Sequence, residues 1–237
     1  MTIRRLFVLT TVLFAAFSFV ACSSDDDDDN KNDKNVVADN HEYVDLGLPS
    51  GTLWATCNIG ASKPEEYGDY FAWGETKTKE TFAFEDYKWG NASYDNFTKY
   101  CTNSLFGNVD GNSELLPEDD AAAVNWGNNW CTPSIDQFRE LVNSDYTTTV
   151  WIAQNGVYGM KVTSKKNGKT LFVPAAGKHW DKLEDAGKYG FCWSRSLEKG
   201  SLAAYHLAFY NSDGVYIYDG LSPRPTGFAV RPVRIKK

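Results

Sequence analysis

The sequence predicts an α+β protein that is mostly antiparallel β-sheet, with two short helices and long structured loops. The first sign is the alternation of side chains through residues 203–210 and 215–218, which has the period of half-buried strands. The second is Asn167-Gly168, a dipeptide typical of tight β-hairpins. The third is a pair of helix start signals, at Pro117 and at Ser134.

The chain begins with the pattern of an export signal. Arg4 and Arg5 precede an uncharged apolar run over residues 6–20, so residues 1–21 are predicted to be a removable signal peptide. The ending Phe-Val-Ala-Cys at 19–22 resembles a lipobox, which implies that Cys22 is lipidated and becomes the N-terminus. A secreted protein cleaved after a small residue is the alternative.

Residues 22–40 are predicted to form a disordered tether. The segment contains the acidic run Asp25–Asp29 and almost no large apolar side chains, so it cannot bury enough surface to fold. An acidic run at this place resembles the surface-export signal of Bacteroidota lipoproteins. The expected location is therefore the outer membrane, with a lipid anchor at Cys22 and the protein facing the cell exterior. Each acyl methylene buried in the bilayer contributes about 0.8 kcal/mol, so several chains anchor stably.

Residues 41–237 have a length that suits a single domain. The net charge of −7 owes much to the acidic tether, and no basic stripe follows it. Nucleic acid is therefore not an expected partner.

The domain opens with two predicted strands, at residues 43–46 and 52–56, around a turn at 48–51. Residues 82–100 alternate rings with polar side chains without a clear period, which predicts a long structured loop.

Two helices and a hairpin are predicted further along the chain. Pro117 and the acids after it predict a short helix over residues 116–123. Ser134 and Gln137 form a capping box for a second helix, whose apolar stripe is Ile135, Phe138, Leu141 and Val142. The hairpin joins a strand at 159–164 to one at 170–173.

Several motifs together resemble the Fibrobacter succinogenes major paralogous domain family. They are Val-Asp-Leu-Gly-Leu-Pro-Ser-Gly-Thr-Leu-Trp-Ala-Thr at 44–56, Tyr-Phe-Ala-Trp-Gly-Glu-Thr at 70–76, Pro-Glu-Asp-Asp-Ala-Ala at 117–122, Asn-Trp-Gly at 125–127, Val-Pro-Ala-Ala-Gly at 173–177 and residues 227–234. The resemblance covers nearly all of residues 41–237. It implies a C-type-lectin-like fold, related to the formylglycine-generating-enzyme fold, in which the chain ends meet in one sheet. Members of the family are mostly exported surface proteins of undefined ligand.

Four cysteines follow Cys22, and they allow three disulfide pairings in an exported chain. None is in a C-x-x-C motif, so the spacing does not support zinc or redox chemistry. Cys131 and Cys192 stand where the family usually has other residues. The resemblance therefore implies the pair Cys131–Cys192, and leaves Cys57–Cys101 as the second pair.

The sequence does not favour an enzyme. His41, His179 and His206 are far apart in sequence, without a metal-ligand motif, and no serine lies in Gly-x-Ser-x-Gly. An enzyme on a formylglycine-generating-enzyme-like fold is the minor alternative, since fold alone does not imply function.

A calcium site is the one metal site that the sequence suggests, because oxygen-bearing side chains cluster between residues 108 and 120. An EF-hand loop would require Gly at Ser113 and Glu at Asp119, so that motif fails. Solvated loop and helix-cap carboxylates are the preferred interpretation. No cofactor or metal is expected, with calcium left as the alternative.

The expected function is that of a surface binding or adhesion module with a protein or glycan ligand. Tyrosine offers a large contact area at low cost in rotamer entropy, and exposed tyrosines alternate with apolar residues near the C-terminus. The predicted contact residues are Tyr205, His206, Tyr210, Asn211, Asp213, Tyr216, Tyr218 and Asp219. The alternative is a carbohydrate-binding lipoprotein whose sugar stacks on Trp180, Tyr189 or Trp193.

Overall fold

The computed structural model describes residues 36–38, 41–93, 96–200 and 202–235, and the described residues from 41 onward belong to one compact unit. The predicted signal peptide, Cys22 and most of the predicted tether lie outside the described residues. Within the described part of the chain, no helix is long and apolar enough to cross a membrane.

The described residues form mainly antiparallel β-sheet with two short α-helices, as the sequence predicts. The strands are β1 Val36–Ala38, β2 His41–Asp45, β3 Thr52–Ala55, β4 Tyr70–Phe71, β5 Thr147–Gln154, β6 Val157–Ser164, β7 Thr170–Pro174, β8 Lys178–His179, β9 Leu183–Glu184, β10 Tyr189–Leu197, β11 Ala203–Asn211, β12 Val215–Pro223, β13 Phe228–Ala229 and β14 Val233–Ile235. The helices are α1 Ala121–Trp126 and α2 Ile135–Leu141, and a 3-10 turn covers Pro117–Asp119.

The first sheet joins the two ends of the described chain. Its order is β1-β2-β3-β14, and Trp54 of β3 pairs with Val44 on one side and with Val233 on the other. The hairpin that the sequence predicts is confirmed, since Gly51 closes its turn by donating to the Leu48 carbonyl at 3.0 Å. The closing strand β14 thus lies beside the opening hairpin, as the family resemblance implies.

The second sheet has the order β12-β11-β10-β13-β4, and only the short β10-β13 pair in it is parallel. A third sheet, β5-β6-β7, contains the predicted hairpin at Asn167-Gly168, and β8 and β9 form a small fourth sheet. The predicted strand at residues 159–164 makes up the last six residues of β6, which begins at Val157.

The second helix begins at the capping box that the sequence indicates, whereas the first begins later than predicted. The Ser134 hydroxyl accepts from the Gln137 N–H at 3.2 Å, and the Gln137 side chain accepts from the Ser134 N–H at 2.8 Å. The helix predicted over residues 116–123 is instead a 3-10 turn followed by α1. It is interrupted because Asp120 adopts an extended conformation and caps α1 with its carboxylate.

The core consists of three apolar clusters. The first lies between α2, the first and third sheets, and one face of the second sheet, and includes Trp54, Phe138 and Phe209. The second lies against the opposite face of the second sheet and includes Trp73, Trp193 and Phe228. The third fixes the long loop that the sequence predicts, through Phe82, Phe84, Tyr87, Phe97 and Cys101.

The second sheet is therefore covered on both faces over most of its length. Leu207 and Phe209 of β11 pack in the first cluster, while Ala204 of the same strand packs in the second. The sequence predicts that this strand has one buried face and one exposed face. For β11 up to residue 209 that prediction is wrong. The alternation marks two different core environments, and only the far end of this sheet is open.

Arg231 is fully buried although it is charged, and it links three parts of the core. Its guanidinium donates to Asn58 Oδ1 at 2.8 Å, to the Ala55 carbonyl at 3.1 Å and to the Phe172 carbonyl at 3.2 Å. Burial lowers the pKa of Arg231 to about 10, so the side chain stays protonated at neutral pH. These bonds tie the segment before β14 to the first and third sheets.

Neither predicted disulfide is present, because all four cysteines of the described residues are free. Cys131 lies beside β14, where its sulfur is 3.3 Å from Arg195 Nη1, whereas Cys192 is inside β10 and pairs with Leu207 and Ala229. Cys101 is in the third cluster and donates its thiol to the Asn103 carbonyl at 3.1 Å. The thiol of Cys57 is 3.7 Å from the Thr56 hydroxyl. The pairing inferred from two unusual cysteines is therefore wrong for this structure.

Candidate functional site

A row of tyrosines occupies the open end of the second sheet. Tyr189 of β10 lies directly opposite Tyr210 of β11, which lies directly opposite Tyr216 of β12. The ring centroids are 4.9 Å apart in the first pair and 5.1 Å apart in the second. Tyr218 extends the row, with its centroid 5.9 Å from that of Tyr216. We call Tyr189, Tyr210, Tyr216 and Tyr218 the tyrosine row.

The tyrosine row is exposed on top of a packed support. Tyr216 is 53% exposed and Tyr218 is 38% exposed, while Ala208 between them and β10 is fully buried. Tyr189 stacks on Phe191 within 6° of parallel, and Phe191 in turn stacks on the buried Phe228. Aromatic pairs of this kind contribute about 0.5–1.5 kcal/mol beyond their buried area. The rings are thus held in place before any ligand arrives.

Burial raises the pKa of the Tyr218 phenol, and the neighbouring Tyr210 raises it further. The hydroxyl is therefore neutral at physiological pH and can both donate and accept a hydrogen bond. A row of such groups can contact either a protein or a sugar surface.

Five of the predicted contact residues lie at this end of the sheet. Tyr210, Tyr216 and Tyr218 belong to the row, and Asn211 and Asp213 are exposed at the turn between β11 and β12. The turn needs a left-handed backbone at Asp213, whose φ is 51°.

Three other predicted contact residues lie elsewhere. His206 is only 3% exposed, and its ring is 4.9 Å from that of Phe228. Tyr205 and Asp219 belong to the opposite face of the sheet, beside α2. There Asp219 accepts from Arg139 Nη2 at 2.6 Å, and the Arg139 guanidinium lies 5.8 Å from the Tyr205 ring. The prediction of His206 as a ligand contact is wrong, because the second cluster covers it. Asp219 is exposed and Tyr205 is half-buried, so both stay predicted contacts, but they lie outside the tyrosine row.

The two tryptophans that the sequence suggested for sugar stacking pack against other parts of the protein. Trp193 is 1% exposed and donates its indole N–H to the Phe71 carbonyl at 2.9 Å, so it cannot stack on a ligand. Trp180 is half-buried and packs edge-on against Phe84, with the third cluster. Of the three rings named for stacking, Tyr189 is the one that belongs to the row.

An aromatic groove adjoins the row and has a volume of about 360 Å³. It is lined by Trp151, Tyr158, Gly187, Lys188, Tyr189, Tyr210 and Asn211. The sequence prediction omitted Trp151 and Tyr158, which flank the hairpin turn between β5 and β6. The dipeptide Asn155-Gly156 is a hairpin signal that the sequence itself shows. In the structure both residues have positive φ, 49° and 84°, as a type I′ turn requires.

A second cavity, of about 460 Å³, lies near α1 and includes Asp120, Cys131 and Arg195. Both charged residues that line it already have partners: Asp120 accepts from Thr132 and caps α1, and Arg195 donates to Glu114 at 2.9 Å. Burial raises the pKa of the Cys131 thiol, although the Arg195 guanidinium opposes this. The neutral thiol is favoured, which does not suit a nucleophile.

The carboxylates considered for calcium are engaged by protein groups. Asp110 accepts from the Tyr100 N–H at 2.7 Å, and Asp119 is held by Lys88 at 3.1 Å and by the Tyr100 hydroxyl at 2.8 Å. Among the residues that the structure describes, no group of three or more His, Cys, Asp or Glu side chains could hold a metal ion.

Comparisons with protein-family models, with curated proteins and with solved structures find no match to this chain. The family resemblance and the C-type-lectin-like fold therefore stay predictions that rest on the sequence motifs.

Proposed function

We propose that this protein is a lipid-anchored binding or adhesion module, with a C-type-lectin-like fold, at the outer surface of a bacterial outer membrane. The observation that carries the binding function is the tyrosine row, four rings in continuous contact at the open end of a packed sheet. The anchoring part of the proposal rests on the lipobox-like ending at Cys22 and on the acidic run that follows it.

The tyrosine row has the properties of a contact surface. Interfaces are enriched in tyrosine, and a few rings in a rigid setting usually contribute most of the binding free energy. The cross-strand pairing holds neighbouring rings against one another, tilted by 38° to 51°, so little entropy is lost when a ligand binds. Asn211 and Asp213 at the adjacent turn add polar groups at the rim.

Adhesion of cells that display the protein tests the proposal. The double variant Tyr216→Ser with Tyr218→Ser is compared with the unmodified protein on immobilised glycans and on immobilised surface proteins. We expect adhesion to weaken by at least about 2 kcal/mol of binding free energy, because exposed aromatic hot spots cost that much when truncated. Stability should change by only about 0.5 kcal/mol per substitution.

Tyr146→Ser is the matched control. Tyr146 is 37% exposed, close to the value for Tyr218, but it precedes β5 and does not belong to the tyrosine row. Equal adhesion of the double variant and the control variant would exclude the row as the contact surface.

A further inference from the structure

The aromatic groove is built from two pairs of consecutive strands, one from the third sheet and one from the second. Trp151 comes from β5, Tyr158 from β6, Tyr189 from the start of β10 and Tyr210 from near the end of β11. The groove shares Tyr189 and Tyr210 with the tyrosine row, and it adds a wall that the row lacks. Its volume of about 360 Å³ is within the usual range for small-ligand sites, roughly 300–1,000 Å³.

The added wall consists of two nearly parallel rings. The rings of Trp151 and Tyr158 are within 11° of parallel, with centroids 6.2 Å apart, as expected for diagonal neighbours on paired strands. Trp151 also packs edge-on against the buried Phe209, with centroids 6.4 Å apart. Flat ring faces are negative, and they attract the slightly positive C–H groups of a pyranose.

The charged lining of the groove is positive only. Lys188 is exposed and is the single ionised side chain among the residues that line the groove, which include no carboxylate. The nearby Asp185 lies 3.8 Å from the amino group of Lys178, so it has a lysine partner outside the groove. The exposed Asn211 amide adds a donor and an acceptor. A ligand that complements this lining has a flat apolar ring face, hydroxyl groups and one negative charge.

We propose that the groove binds an acidic sugar of a glycan, a pyranose that carries a carboxylate. The sugar ring would pack between the Trp151 and Tyr158 wall and the tyrosine row, with its carboxylate at Lys188. Recognition in this form uses ring stacking and a charge-assisted hydrogen bond. A folded protein partner would need about 800 Å² on each side, more than a groove of this size offers. The inference rests on the proposed binding function and names its ligand class.

Calorimetric titration of the full-length protein in detergent tests the inference. The probes are oligomers of galacturonate and of glucuronate, together with their methyl esters, which keep the sugar ring but remove the charge. We expect the acids to bind and the esters to bind about tenfold more weakly or worse, the usual effect of losing one charge-assisted hydrogen bond.

Three variants separate the contributions to binding. Lys188→Gln should remove the preference for the acid over the ester. Tyr158→Ala should weaken both by about tenfold or more, as expected for a lost stacking ring. Tyr146→Ala, at a partly exposed residue outside both the groove and the tyrosine row, should change the affinity by less than about twofold. Thermal melting of each variant verifies that it is folded.

The inference is overturned by any of three results. One is that no uronate oligomer binds. Another is that the unmodified protein binds acids and esters equally. The third is that Tyr158→Ala retains full affinity in a folded protein. In each of these cases the adhesion assay can still show that Tyr216 and Tyr218 are needed. The groove proposal then fails while the proposed binding function stands, so the two failures are distinguishable.

Discussion

His206 should make the stability of this protein fall as the pH is lowered. Its imidazole is 3% exposed and is surrounded by Phe191, Trp193 and Phe228, with ring centroids 4.9–5.9 Å away. Burial lowers the pKa of His206 from its ordinary value of 6.5 to about 4, because charge is costly in this environment.

The sign and the size of the effect follow from proton linkage. Between pH 6.5 and pH 4 the unfolded chain binds the proton and the folded chain does not, so the free energy of unfolding decreases as the pH falls. One pKa unit corresponds to about 1.4 kcal/mol, and the loss attributable to His206 alone is about 2 kcal/mol at pH 5. Well above pH 6.5 the imidazole is neutral in both states and contributes no slope.

Urea unfolding at a series of pH values between 7.5 and 5 measures the effect. The unmodified protein is compared with His206→Phe, which keeps a ring in the site but cannot titrate. His206→Leu serves as a second variant because Gly220 lies very close to the imidazole and limits the space. Between pH 7.5 and pH 5 the unmodified protein should lose about 2 kcal/mol of unfolding free energy relative to each variant. Parallel pH profiles for all three proteins would refute the assignment of a buried, neutral His206.

Two further predictions concern the cysteines. Cys22→Ala should move the protein from the membrane fraction to the soluble fraction, because the lipid is its predicted anchor, and unchanged fractionation would contradict lipidation at that residue. The four later cysteines should alkylate without a reducing agent once the protein is unfolded in urea, since all four are free. In the folded protein Cys57 and Cys131 should react faster than the buried Cys101 and Cys192, and mass spectrometry that detects a disulfide would contradict the structure.

The predictions that the structure confirms depend on contacts within a few residues. A capping box needs only Ser134 and Gln137, and a tight turn needs only Asn167 and Gly168, so both are visible in the sequence. The hairpin at Asn155-Gly156 carried the same local signal and was predictable on that ground. Its omission left Trp151 and Tyr158 out of the predicted site.

The sequence by itself determined that this is a β-rich domain with defined caps and turns, since those depend on local propensity and period. Only the tertiary structure decided which face each side chain occupies. Alternation along β11 separates two faces but cannot show that α2 covers one and Phe228 covers the other. For this reason His206 and Trp193 became core residues, while Tyr189 joined Tyr210 and Tyr216 through strand pairing across residues distant in sequence.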